Sequence, residues 1–158
     1  MKRALMVAVA GVLLAAAGGW RQAESKAAGV DAEQQIRALE QKMNDAYGRN
    51  DLAAYFAYYA PDFVQWLPEG RTDLAKYKKD WTEYVNAGNK VQGVEIRDAV
   101  VRVSPSGDAA VFAYLLSVKT KLADGKITEE QNQETDVWFK RDGAWKVVAL
   151  HYSAAEKK

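Results

Sequence analysis

The chain has no cysteine, which excludes disulfides, thiolate ligands and a cysteine nucleophile, so its stability must come from its core alone. It has one histidine, His151, and no carboxylates at ligand spacing, so no metal centre is expected. Charge of one sign is lacking too. The 22 basic residues face 21 acidic ones without forming a basic stripe, which removes nucleic acid as an expected partner. No glycine-rich phosphate fingerprint is present, and the chemistry expected of this chain needs no cofactor. Only three prolines interrupt a composition that is 49% hydrophobic, which favours a folded domain over disorder. The longest uncharged apolar run, Ala4 to Ala17, falls short of the roughly 20 residues that a membrane-spanning helix needs.

That run has the layout of an export signal. Lys2 and Arg3 precede it, and Ala15-Ala16-Ala17 matches the A-x-A cleavage pattern. A signal peptide is therefore expected over residues 1–19, cleaved near 17–19, with the mature chain periplasmic or secreted and free of the membrane. An uncleaved anchor is the alternative. Removing Lys2 and Arg3 leaves 20 basic against 21 acidic residues, a nearly neutral mature chain. Residues 20–30, rich in Ala, Gly, Ser and charge, read as a flexible mature N-terminus, residues 31–153 as one domain and residues 154–158 as a charged tail.

Within the domain, Asp31 suits an N-cap and Ile36, Leu39, Met43 and Tyr47 follow at helical spacing. Gly48 to Asn50 can end this helix. Asp51 can cap a second one, expected to run through Tyr59 and to close at Pro61. A short strand over Asp62–Leu67 and a turn at Pro68-Glu69-Gly70 precede a third helix, expected over Thr72–Val85. After it come four β-rich segments, Val91–Val103, Ala109–Leu122, Lys126–Lys140 and Ala144–Ser153, separated by turn signals. Helices first and an antiparallel meander afterwards predict an α+β fold, in which a strongly curved sheet wraps the helices and leaves a cone-shaped cavity.

Two stretches carry a family resemblance. One is Asp51-Leu-Ala-Ala-Tyr55 through Ala60-Pro61. The other runs from Glu134 through the basic-Asp-Gly turn to Trp145 and His151-Tyr-Ser153. Together they resemble SnoaL-like (nuclear transport factor two-like, cystatin-like) proteins, a class whose fold ketosteroid isomerases share. In motif they are closest to the association (hub) domain of calcium/calmodulin-dependent protein kinase two. The resemblance implies the cone fold and leaves the chemistry open, because this fold hosts isomerases, cyclases, dehydratases and non-catalytic hubs. Hub domains bind small acids through sheet arginines. Here Leu116, Asp136 and Tyr152 stand at those positions and Leu74 at that of a pocket histidine, so a pocket of the hub kind is not implied.

The expected site follows from period two on the third of the four β segments. Asp136 shares a face with Glu134 and Trp138, and among aromatic rings it would lose hydration and become a usable general base. The alternative is that Asp136 pairs with Arg or Lys on a neighbouring strand. His151 is the other candidate catalytic group, set against a structural role as part of the family signature. Tyr55, Tyr59, Trp66, Tyr77, Trp81, Tyr114, Trp138 and Tyr152 are the candidate ligand-binding rings, for a small hydrophobic or aromatic molecule or a flat or cationic one with Asp136 as counter-charge, with core packing as the competing use.

Two functions stay open at this point. One is an exported small-molecule-binding domain, capable of cofactor-free proton transfer of isomerase, cyclase or dehydratase type. The other is a non-catalytic assembly module. A homodimer or larger homo-oligomer is compatible with both, with Val91, Val101, Val103, Phe112 and Val148 as a candidate outer face.

Overall fold

The computed structural model describes residues 13–155, with side chains from residue 29 onward. Parts of the expected leader and charged tail, residues 1–12 and 156–158, lie outside the described residues. The order of elements is α1 (Leu13–Gly48), α2 (Leu52–Phe56), β1 (Tyr59–Leu67), β2 (Gly70–Asp73), α3 (Leu74–Asn86), β3 (Lys90–Val103), β4 (Ala109–Lys121), β5 (Ile127–Arg141) and β6 (Ala144–Ala154). The strands form one curved, unclosed sheet in the order β2-β1-β6-β5-β4-β3. Every neighbouring pair is antiparallel except β1 and β6. The fold is α+β, as expected.

Several local expectations need correction. Asp31 lies inside α1 rather than at its N-terminus, and α1 runs through residues 20–30. The cap at Asp51 is real, since its side chain accepts from the Ala54 amide, yet α2 ends at Phe56 and Pro61 lies within β1. Proline tolerates this position because its fixed φ suits an extended chain and it gives up only one donor. Asp73, not Thr72, caps α3, and residues 70–73 pair with β1 as a short edge strand. The four β-rich segments sit where expected, within one residue at each end. At the last hairpin Asp142 and Gly143 both have positive φ, 51° and 79°, the backbone that an Asp-Gly two-residue loop provides.

Alternation in β4 sets the core. Ala110, Phe112, Tyr114, Leu116, Val118 and Thr120 are buried, while Val111 is exposed. Val91 and Val101 of β3 are buried with them. Three of the residues expected on an outer face, Val91, Val101 and Phe112, thus belong to the core. Register shifts in β3 at Val91/Gly93 and Arg97/Val100 change which parity points inward, and a period of two cannot name the covered face. The outer face instead carries Trp66, Val100, Val111 and Phe139, each between 39% and 52% exposed.

Asn50 joins the helices to the sheet. It has φ 58°, a left-handed conformation in which Asn is tolerated, and it imitates a strand neighbour. Its Nδ2 donates to the Val91 carbonyl and its Oδ1 accepts from the Val91 amide, both at 2.9 Å. Asn50→Ala loses both bonds and also the short polar side chain that lets Asn tolerate positive φ, an expected cost of about 2–3 kcal/mol. Asn50→Gly should recover about 1 kcal/mol of it. Urea unfolding of the two variants checks both figures, and equal midpoints would refute the backbone share.

Candidate functional site

The register of the central strands places the site residues. Glu134 of β5 lies between Tyr114 of β4 and Tyr152 of β6, and Asp136 lies between Phe112 and Leu150. Tyr114 is therefore in diagonal reach of Asp136, and its hydroxyl donates both to Glu134 Oε1 at 2.8 Å and to Asp136 Oδ2 at 3.2 Å. From the other side comes Glu40 of α1, fully buried within the stripe of Ile36 and Met43. Trp138 Nε1 donates to Glu40 Oε1 at 2.5 Å. Glu40 and Asp136 interact electrostatically inside the fold, the charge of Glu40 adding to the rise of Asp136, so charge on both at once is disfavoured. Asp136 Oδ1 has no hydrogen-bond partner among the described residues.

Burial raises all three acids. Loss of hydration is the largest cause for Asp136, followed by the charges of Glu40 and Glu134, and it holds Asp136 well above the carboxylate range. Desolvation likewise raises Glu40 to about 8, against the Trp138 hydrogen bond, which lowers it. Glu134 rises to about 7 for the same first reason, with the Tyr114 bond opposing. Near neutral pH the trio carries protons that free carboxylic acids would have lost. Among the described residues no group of His, Cys, Asp and Glu is arranged to hold a metal ion.

Beside this cluster opens a cavity of about 380 Å³. Every element except β3 contributes to its wall. Tyr47, Trp81 and Tyr84 form a stacked series, with ring centroids 5.2 and 5.0 Å apart. Tyr59 donates to Tyr55 at 2.5 Å, and Tyr55 bonds Tyr77 at 2.8 Å. Burial raises the pKa of all three phenols, so they stay neutral. If Tyr59 donates to Tyr55, the Tyr55 proton goes to Tyr77 and the Tyr77 proton is left for the cavity. Gln65 Oε1, Thr72 Oγ1 and Trp81 Nε1 also belong to lining residues, and none of these three buried atoms has a hydrogen-bond partner among the described residues.

Of the expected site residues, Tyr55, Tyr77, Trp81 and Tyr152 line the cavity. Tyr59, Tyr114 and Trp138 do not: they are buried behind the wall, where Tyr59 and Tyr114 support the groups that face it. Asp136 also lies behind the wall, and Glu134, two residues along the same face, lines it. His151 and Trp66 are register partners and both are exposed, while their chain neighbours Leu150 and Gln65 are buried. The pleat thus turns His151 and Trp66 to the outer face, away from the cavity. Sequence reasoning missed Glu40, Gln65, Thr72 and Tyr84. The one available signal was Glu40, a charge three and four residues from Met43 and Ile36 in an otherwise apolar stripe.

The sequence profile described as the calcium/calmodulin dependent protein kinase II association domain matches residues 32–156. The delta subunit of calcium/calmodulin-dependent protein kinase type II from Oryctolagus cuniculus is 25% identical over 127 residues, covering 78% of this chain and 24% of that protein. The chain thus spans about a quarter of the length of the curated relatives it matches. The association domain of this kinase from C. elegans superposes with a TM-score of 0.63 at 22% identity, covering 77% of this chain and 95% of the other. A nuclear transport factor 2-like superfamily protein from Salmonella enterica superposes at 0.70 and 18% identity, covering 81% and 94%. At these identities the structural likenesses establish the fold alone.

The carboxyl trio dictates an unusual pH response. An acid whose folded pKa is raised contributes stability that is complete below its unfolded value, here 4.5 for a glutamate, and that is lost as pH rises through the folded value. The thermal midpoint should therefore fall by roughly 5–10 °C between pH 5 and pH 8. Asp136→Asn should flatten most of that slope in a calorimetric pH series. An unchanged slope would remove Asp136 from the cluster's titration.

Proposed function

Because the chain belongs to the calcium/calmodulin dependent protein kinase II association domain family and keeps an open cone, we propose that it is an exported small-molecule-binding protein. The observation that carries this reading is the cavity of about 380 Å³ with unpaired Gln65 Oε1, Thr72 Oγ1 and Trp81 Nε1 in its wall. A core residue gains nothing from a buried polar atom without a partner, which costs about 1–3 kcal/mol. A ligand that met those atoms would recover that energy. Export rests on the Lys2–Ala17 leader.

Proton transfer is the chemistry such a cone would support. Glu134 is the base at the wall, raised by burial to about 7 and so able both to take and to return a proton near neutral pH. Asp136 stands behind it, with Tyr114 between the two as a shared donor. Tyr77, at the end of the phenol chain, is the hydrogen-bond donor to a substrate oxygen.

A second reading, assembly of copies of this chain, is favoured by the outer sheet face. Val100, Val111, Phe139 and Trp66 are exposed there, where single chains in water gain nothing from them. The two readings use opposite faces of one sheet, so a homo-oligomer keeps its cavities.

Titration with indole, read by tryptophan fluorescence and by calorimetry, should show saturable binding. Leu67→Trp, which adds bulk at a partly exposed wall position, should abolish it with the fold retained. Binding unchanged in that variant would move the ligand elsewhere. For the outer face, sedimentation should report a homodimer or larger species that the double variant Val111→Glu, Phe139→Glu converts to monomer. A monomeric wild type would end the assembly reading. Native mass spectrometry of the exported protein should give a mature N-terminus near residues 17–19, and an intact leader would contradict cleavage.

A further inference from the structure

The charge and shape of the cavity wall narrow what it can hold. Its ionisable side chains other than tyrosine are Glu134, Glu130 and Asp80, and no Lys, Arg or His is among the described residues that line it. Asp80 is spoken for by Lys76, whose Nζ lies 2.6 Å from Oδ2 on the exposed side of α3. Glu130 is exposed. Glu134 differs from both, since it lies in the wall among aromatic rings and its one hydrogen bond among the described residues is the one it accepts from Tyr114. A carboxylate with one donor has acceptor capacity left over.

Aromatic rings share the wall with that carboxylate. Tyr47, Tyr55, Tyr77, Trp81, Tyr84 and Tyr152 all contribute to the wall. An aromatic ring presents negative charge on its face, so a cage of such rings attracts a cation, and most strongly where water is excluded. The same wall repels an anion, which would meet carboxylates and ring faces with no cationic side chain in the wall to balance it. A neutral apolar molecule would fill the space but leave Glu134 without a counter-charge. Gln65 supplies a second, independent pointer. It is 2% exposed, it lines the cavity, and its Oε1 has no partner, an acceptor suited to an N–H or O–H of a ligand.

We propose that the cavity is a binding site for a small organic cation, a protonated or quaternary amine, with Glu134 as its counter-charge and the Tyr47–Trp81–Tyr84 series as the face it packs against. A hydroxyl or carbonyl on the same ligand would meet the unpaired groups of Gln65, Thr72 and Trp81. This inference rests on the binding reading given above and adds the ligand's charge.

Three molecules of matched shape and different charge test it: choline, 3,3-dimethylbutan-1-ol and 3,3-dimethylbutanoate. With the full-length mature protein at constant ionic strength, choline should bind at least about tenfold more tightly than the alcohol, a preference of the size expected of one enclosed counter-charge. The carboxylate should not bind. Glu134→Gln should bring choline to the level of the alcohol with the far-ultraviolet circular dichroism of the wild type retained. Trp81→Leu, at a partly exposed position, should weaken choline more than the alcohol and supplies the test if Glu134→Gln does not fold. Indole binding without a preference for choline, or with tighter binding of the alcohol or the carboxylate, overturns the cation inference and leaves the binding reading standing. A choline preference that survives Glu134→Gln removes Glu134 as the counter-charge. No binding of indole or of any of the three molecules overturns both.

Discussion

The burial of two acids, Glu40 and Asp136, in one dry interior is the constraint on which this site depends. For two fully buried carboxyls, one from helix α1 and one from strand β5, charge on both at once is disfavoured. Trp138 and Tyr114 complete the arrangement, donating to Glu40 and to Asp136 in turn. Ties of this kind are directional. They place α1 over β5 in one orientation, where apolar contacts alone would accept neighbouring ones. They also determine what Glu134 experiences, because its own environment includes the Tyr114 hydroxyl that reaches Asp136.

From that anchor the cone divides into a dry part and an open part. Beneath the wall, Trp138 donates to Glu40 and Tyr114 to Asp136, while Tyr59 and Tyr114 also donate to the wall residues Tyr55 and Glu134 and so fix their position. At the wall, Glu134, Tyr77 and Trp81 meet the cavity with capacity to spare. A family likeness does not decide between these uses, since one curved sheet serves catalysts, binders and assembly domains. The absence of basic residues from the wall is what separates this cone from one built for acids, and it follows from individual side chains rather than from the fold.

The elements were largely legible because local chemistry dictated them. Asp51 had to cap something, Asp142-Gly143 had to turn a hairpin, and the alternation of β4 had to bury one face. The errors share one cause. Period two says that Leu150 and His151 point opposite ways, but not which one the helices cover, and two bulges in β3 reverse the parity in mid-strand. Hence Val101 and Phe112 were read as outward and are core, and His151 and Trp66 were read as site residues and are exposed on the outer face.

By itself the sequence determined the α+β class, the cone, the bounds of the four long C-terminal strands and the aromatic character of the interior. These follow from spacing and from residue types, which act over a few positions at a time. Only the tertiary structure decided which acid faces the cavity and which lies behind it. Glu40 stands 96 positions from Asp136, and no local pattern reports that α1 would bring this buried carboxylate onto that strand. Charge inside a protein depends on the distance to other charges and to water, and those distances exist only once the chain has folded.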